Sequence, residues 1–106
     1  MRQILSALPG VEERPCYGTP GFYYRKKFMA RLREDGESLA LKTTFADREH
    51  LLMTDPKVFF LTDHYRDYPA VLVHLSTVKT RVLRELLEDA WRRAAPKRVV
   101  AEWDAA

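Results

Sequence analysis

The chain has one cysteine, only four glycines, and no apolar run long enough to cross a membrane. Cys16 alone can form no internal disulfide, so a reducing cytoplasm is the expected compartment. The opening residues, MRQILSALPGVEERP, lack the extended apolar stretch and small-residue cleavage site of a secretory signal. There is no glycine-rich phosphate loop, no nucleophile elbow, no paired-carboxylate motif and no zinc signature. His50, His64 and His74 stand without tight ligand spacing. These absences leave a catalytic residue, a cofactor and a bound metal without positive support. Internal repeats and low-complexity tracts are missing too. Charge of one sign is scarce: 18 Lys and Arg against 15 Asp and Glu leave a net +3. That balance permits an acidic partner without requiring one.

What is present is a globular composition, 46% apolar and 31% charged over 106 residues, which excludes a disordered chain. The length implies one domain, residues 1–106, with 97–106 as a loosely ordered tail. Val99, Val100 and Trp103 imply that part of this tail docks.

A short amphipathic helix over Arg2 to Leu8 is expected, ended by Leu8-Pro9-Gly10. Val11 to Pro15 reads as a connector. Asp35-Gly36 is the strongest turn signal and suits a type I′ hairpin. It pairs Arg33 with Ser38, Leu32 with Leu39, Arg31 with Ala40 and Ala30 with Leu41. Alternation then sends Leu32, Leu39 and Leu41 to one face and Arg31, Arg33 and Lys42 to the other. The run Phe22 to Glu34 is too long for one strand. A turn near Arg25-Lys26 would divide it, though no glycine supports one. Face parity is also broken, with Phe22, Tyr24 and Met29 opposite Leu32. A bulge, or a sheet covered on both sides, would reconcile this.

Thr44 reads as a helix cap with Asp47 at the third helical position, and the helix stops near Asp55-Pro56. Val58 to Thr62 is a strand, Asp63 to Pro69 a loop, and Ala70 to Leu75 a second strand antiparallel to the first. The longest helix spans roughly Thr80 to Ala95. Val82, Leu83, Leu86, Leu87, Ala90, Trp91 and Ala94 form its apolar stripe. Four charge pairs at i,i+4 lie on its outer face: Arg81 with Glu85, Arg84 with Glu88, Glu88 with Arg92, and Asp89 with Arg93. The expected class is α+β, an antiparallel sheet with helices packed on one face.

Tyr17-Gly18-Thr19-Pro20-Gly21-Phe22, Lys27-Phe28-Met29-Ala30-Arg31-Leu32 and Leu39-Ala40-Leu41-Lys42 follow one another in order. Asp63-His64-Tyr65, Val71-Leu72-Val73 and Leu86-Leu87-Glu88-Asp89-Ala90-Trp91 complete the series. Together they resemble the MmcQ/YjbR family of small bacterial proteins over nearly the whole chain. The resemblance implies a frataxin-like (CyaY-like) fold and a role in DNA binding through two β-hairpin wings. The family's first tight turn usually holds a glycine, and Lys26 stands there in this sequence. Frataxins handle iron on acidic ridges. The acids here are dispersed and matched by helical arginines, so iron handling does not carry over.

Two sets of residues are candidates for function. Arg25, Lys26, Lys27, Arg31, Arg33 and Lys42 form a basic hairpin set. On a protruding ribbon they would contact DNA phosphates with little base specificity. The plain alternative is a solvated sheet face whose long stems cover apolar surface. Glu34, Asp35 and Glu37 place negative charge at the hairpin tip and disfavour it as a phosphate contact. The second set is the loop His64, Tyr65, Arg66 and Tyr68, a ligand pocket or second wing. Its alternative is a loop whose tyrosines fold back on the core. Cys16 near a histidine would make a thiol nucleophile, but a structural thiol is the simpler reading. The sequence thus offers a DNA-binding module, or a non-enzymatic interaction or small-ligand-binding domain, with no membrane partner. Protein partners and oligomeric state are left open.

Overall fold

The computed structural model describes all residues, 1–106, and bears out the α+β class. Six strands form one antiparallel sheet in the order β1-β2-β3-β4-β6-β5. They are β1 (Val11–Cys16), β2 (Thr19–Tyr24), β3 (Lys27–Leu32), β4 (Ser38–Lys42), β5 (Phe59–Phe60) and β6 (Ala70–His74). The helices are α1 (Arg2–Ala7), α2 (Phe45–Thr54), α3 (Thr80–Ala94) and α4 (Lys97–Ala105).

The core lies between one sheet face and α3. Leu83, Leu87, Ala90, Trp91 and Ala94 are buried along α3, as helical spacing requires. They meet Phe22, Ala30, Leu39, Leu41, Val71 and Val73 from the sheet. Trp91 is fully buried, and its indole N–H donates to the Pro9 carbonyl at 2.8 Å. This bond ties α3 to the turn between α1 and β1. Gly10 in that turn has φ +75°, and a Cβ there would lie 2.6 Å from the ring of Tyr24.

Several expectations are corrected. Val11 to Pro15 is not a connector but most of edge strand β1, paired with β2 from Val11↔Tyr24 to Cys16↔Thr19. Glu12, Glu13, Arg14 and Pro15 lack an alternating apolar pattern because a charged, proline-bearing edge resists further pairing. The register across β3 and β4 is as expected, with Ala30↔Leu41, Arg31↔Ala40 and Leu32↔Leu39. The turn is not type I′, since Gly36 has positive φ and Asp35 does not. The Asp35 carboxylate instead accepts from the backbone N–H groups of Glu37 and Ser38 and from the Ser38 hydroxyl. A side-chain bridge of this kind replaces one of the two left-handed residues.

The long run does divide at Arg25-Lys26, leaving Tyr24 paired with Lys27. The left-handed residue there is Arg25, φ 54°, not Lys26. A bulge opposite Phe22/Tyr23 resolves the parity conflict. Met29 is the extra residue, so Met29 and Ala30 both face the helices. Of the four expected charge pairs on α3, only Glu88–Arg92 forms, at 3.0 Å.

The Thr44 cap accepts from the Asp47 N–H at 3.1 Å. The tail is helical: α4 sets Trp103 edge-on to Trp91, with ring centroids 5.6 Å apart, and donates its indole N–H to Glu88. Arg92 bridges Glu88 and Asp104 across the same junction.

Candidate functional site

Cross-strand partners share a sheet face, so Arg31, paired to Ala40 and through it to Leu72, lies opposite the helices. Ala40 and Leu72 are fully buried yet stand outside the helix-side core, because this second face is also covered. The cover is the segment Leu61 to Pro69, which includes one 3-10 turn, Asp63–Tyr65. Between this loop and the sheet runs a cleft of about 720 Å³, within the range of small-molecule sites.

The bulge in β3 builds the floor. Without the extra residue, Phe28 and Arg31 would point to opposite faces. With it, both line the cleft, and Tyr23 packs edge-on against Phe28 at 5.8 Å. The β1–β2 turn supplies one rim. Tyr17 and Gly18 both have positive φ, which folds the turn tightly and leaves the Tyr17 side chain 90% exposed. The loop supplies the other rim with His64, Tyr65 and Tyr68. His64 packs edge-on against Tyr65, and Tyr68 is 59% exposed.

Arg31 sits at the base with its side chain only 8% exposed. Its Nε donates to the Cys16 carbonyl at 3.1 Å and its Nη1 to the Tyr65 hydroxyl at 3.1 Å. Its Nη2 pairs with Glu34, whose side chain is 67% exposed. Burial acts to lower the Arg31 pKa, but the bonds with Glu34 and Tyr65 outweigh it and the net shift is upward. Glu34 is held below the usual carboxylate range by its own backbone N–H and then by Arg31. The Tyr23 hydroxyl is raised by its hydrogen bond with Cys16 and by burial, so it stays neutral.

A second buried arginine secures the loop from the helix side. Arg48 is 6% exposed, and its Nη1 donates to the Tyr68 carbonyl at 2.8 Å, with longer contacts to the carbonyls of Tyr65 and Ala70. The loop wall is therefore pinned twice, through the Tyr65 hydroxyl by Arg31 and through its backbone by Arg48.

The structure redistributes the expected site residues. Arg31 and Arg33 share the cleft, but their charges are engaged. Arg33 donates to the Ser38 hydroxyl and lies 3.7 Å from Asp35. Arg25, Lys26, Lys27 and Lys42 are exposed and lie at the other end of the ribbons. The six cations thus do not converge into one surface, because local carboxylates and cleft contacts hold two of them. Of the loop set, His64, Tyr65 and Tyr68 line the cleft. Arg66 does not, and pairs with Asp63 in solvent at 2.7 Å.

The sequence reading missed Tyr17, Tyr23 and Phe28 as cleft residues, because a bulge and a left-handed turn decide their direction. It also missed Arg48. A signal was there: Arg48 shares a helical face with Leu51 and Leu52, three and four residues on, so its stem had to turn inward. No helix is long and apolar enough to cross a membrane.

Comparison with known proteins places the molecule. An uncharacterised protein of Mycobacterium tuberculosis, Rv2570, is 46% identical over 50 residues. That match covers 47% of this chain and 39% of the relative, so the shared segment spans well under half of the relative's length. An uncharacterised protein of Mycobacterium bovis, Mb2600, matches to the same extent. The crystal structure of Deinococcus radiodurans protein DR2400, described as a DUF419 domain, superposes with a TM-score of 0.71. It covers 95% of this chain and 83% of that one at 24% identity, a likeness of fold. The YjbR family model matches residues 6–93, and the chain belongs to the YjbR family.

Proposed function

We propose that the protein is a non-enzymatic ligand-binding domain and that the cleft between the outer sheet face and the 61–69 loop is its site. One observation carries this reading: a concave, ring-lined volume of about 720 Å³ whose wall is pinned by two buried arginines. Pre-formed walls spare a ligand the entropy of ordering them. Apolar rings supply contact area, and a few convergent polar groups, here Arg31, Arg33 and the Tyr65 hydroxyl, supply orientation. The test is a small-molecule fragment screen by two-dimensional amide NMR on the labelled chain. Hits should shift Tyr17, Phe28, Glu34 and Tyr65 together. Hits that scatter over the surface, or that gather at another recess, would remove the cleft from consideration.

DNA binding is a second reading, favoured by one observation. Arg25, Lys26, Lys27 and Lys42 make no ion pair. Lys27 and Lys42 flank one recess together with Arg93, and Arg25, Lys26 and Lys27 flank a neighbouring one with Arg14 and one carboxylate, Glu12. The free positive charge therefore gathers at the β2–β3 turn and the end of β4, away from the acidic β3–β4 tip. Four phosphate contacts there would give a log–log salt slope of roughly −3.6. Charge reversal at Lys26, Lys27 and Lys42 should abolish such binding, and reversal at Arg33 should leave it nearly unchanged. The opposite pattern would exclude this end of the molecule.

A further inference from the structure

Resting on the cleft reading above, we infer that its ligand is a planar aromatic acid whose carboxylate takes the place of Glu34 on Arg31. The argument begins with donors. A guanidinium carries five N–H groups, and three of Arg31's have partners: the Cys16 carbonyl, the Tyr65 hydroxyl and Glu34. Two N–H groups remain on a side chain that lines the cleft and is shut off from bulk water. A buried guanidinium needs an anion beside it, since an uncompensated buried charge is costly.

Glu34 is that anion now, but its placement is that of a removable one. It approaches from the solvent side, its side chain is 67% exposed, and Arg31 is its one side-chain partner. Glu34 holds Arg31 through one oxygen on Nη2, and an incoming carboxylate can take that contact and reach a free N–H with its second oxygen while Glu34 swings into water, where a carboxylate is fully hydrated. The exchange conserves charge at the buried end and adds ring contacts that Glu34 cannot make.

The rest of the lining selects what the acid is attached to. Tyr17 and Tyr68, at 90% and 59% exposure, stand at opposite rims, Tyr17 with the Arg31 guanidinium 5.5 Å from its ring and Tyr68 tilted against His64 at 6.3 Å, so each keeps open aromatic surface toward a ligand. Tyr23, Phe28 and Tyr65 present further rings below them. Flat ring systems gain most from such walls, through stacking and edge contacts beyond their buried area. Arg33 lies within the same lining, but Asp35 stands 3.7 Å from it, so Arg31 is the group that selects an acid.

The experiment is an amide NMR titration of the full chain with three probes: naphthalene-2-carboxylate, 2-naphthylmethanol and cyclohexanecarboxylate. Naphthalene-2-carboxylate should shift Tyr17, Glu34 and Tyr65 saturably, with the other two weaker by about tenfold or more. In Glu34→Gln the intramolecular competitor is gone, so the naphthoate should bind about tenfold tighter, whereas Tyr17→Ser should weaken it. Both positions are exposed, and the same spectra report whether each variant is folded. Equal binding of the alcohol, or an unchanged affinity in Glu34→Gln, overturns the aromatic-acid assignment and leaves the cleft standing. If no probe moves the cleft amides, the cleft reading falls with it.

Discussion

Replacing Arg48 with methionine tests whether the cleft wall is held from the helix side. Methionine keeps the apolar stem and a similar helix propensity, so α2 should persist. What disappears is the guanidinium and its bonds to the 61–69 loop. Nη1 has two hydrogens, so of its three carbonyl contacts, at 2.8, 3.3 and 3.5 Å, at most two count as full bonds. Charge-assisted bonds contribute about 1.5–3 kcal/mol each. Against this stands the cost of burying the charge. Nε has no partner, and the one facing carboxylate, Glu49, is 3.6 Å away and largely exposed. Desolvation of that kind cancels several kcal/mol. The net loss is therefore about 1–3 kcal/mol, confined to the loop. At 1.36 kcal/mol per decade, amide exchange in the loop should accelerate roughly 5- to 150-fold.

The assay is native-state hydrogen exchange. Its reporters are the Tyr68 N–H, bonded to the Tyr65 carbonyl, and the Thr43 N–H, bonded to the Pro69 carbonyl. Val73, buried in β6, is the internal control. Faster exchange at Tyr68 and Thr43 with Val73 unchanged is the expected pattern. Unchanged exchange at Tyr68, or an equal acceleration at Val73, would show that Arg48 does not pin the loop locally.

Gly10→Ala should cost about 2–4 kcal/mol in urea unfolding, since it forces a side chain into positive φ and against the buried Tyr24 ring; a loss below about 0.5 kcal/mol would contradict the geometry. Arg25→Gly should do the reverse, relieving a left-handed arginine by about 0.5–1 kcal/mol and raising Tm by roughly 2–8 °C. A lower Tm would mean that the turn does not strain Arg25. Asp35 has its pKa lowered to about 2 by the Glu37 N–H first, then by the Ser38 hydroxyl and N–H. A depressed carboxylate stabilises the fold above its unfolded value and loses that contribution as pH falls through the folded one. The stability gap between the parent and Asp35→Ala should therefore be constant at neutral pH and shrink between about pH 4 and pH 2. It should be small, because the group is half exposed. A gap that persists at about pH 2 would remove the carboxylate from the explanation.

The elements that the sequence expressed well are those governed by short-range periodicity. The α3 stripe, the Thr44 cap, the stop at Asp55-Pro56 and the Ala30–Leu41 register each follow from residues within one or two turns of chain. Reading failed where charge stood in for pattern. β1 carries no alternation because an edge strand satisfies solvent on one side. Where each arginine is held is not visible in linear spacing, because its partners lie far along the chain. Arg31 meets Tyr65 across 34 positions, and Arg48 meets Tyr68 across 20.

Taken alone, the order of residues determined the class of fold, the family and the identity of the His64, Tyr65 and Tyr68 loop as worth attention. Tertiary structure decided that two of the six basic hairpin residues are engaged and four are free, and that a one-residue bulge turns Phe28 and Arg31 to the same face. The reason is physical. Periodicity is a local property of φ and ψ, whereas a cleft is made by side chains distant in sequence, whose directions depend on every turn and bulge between them.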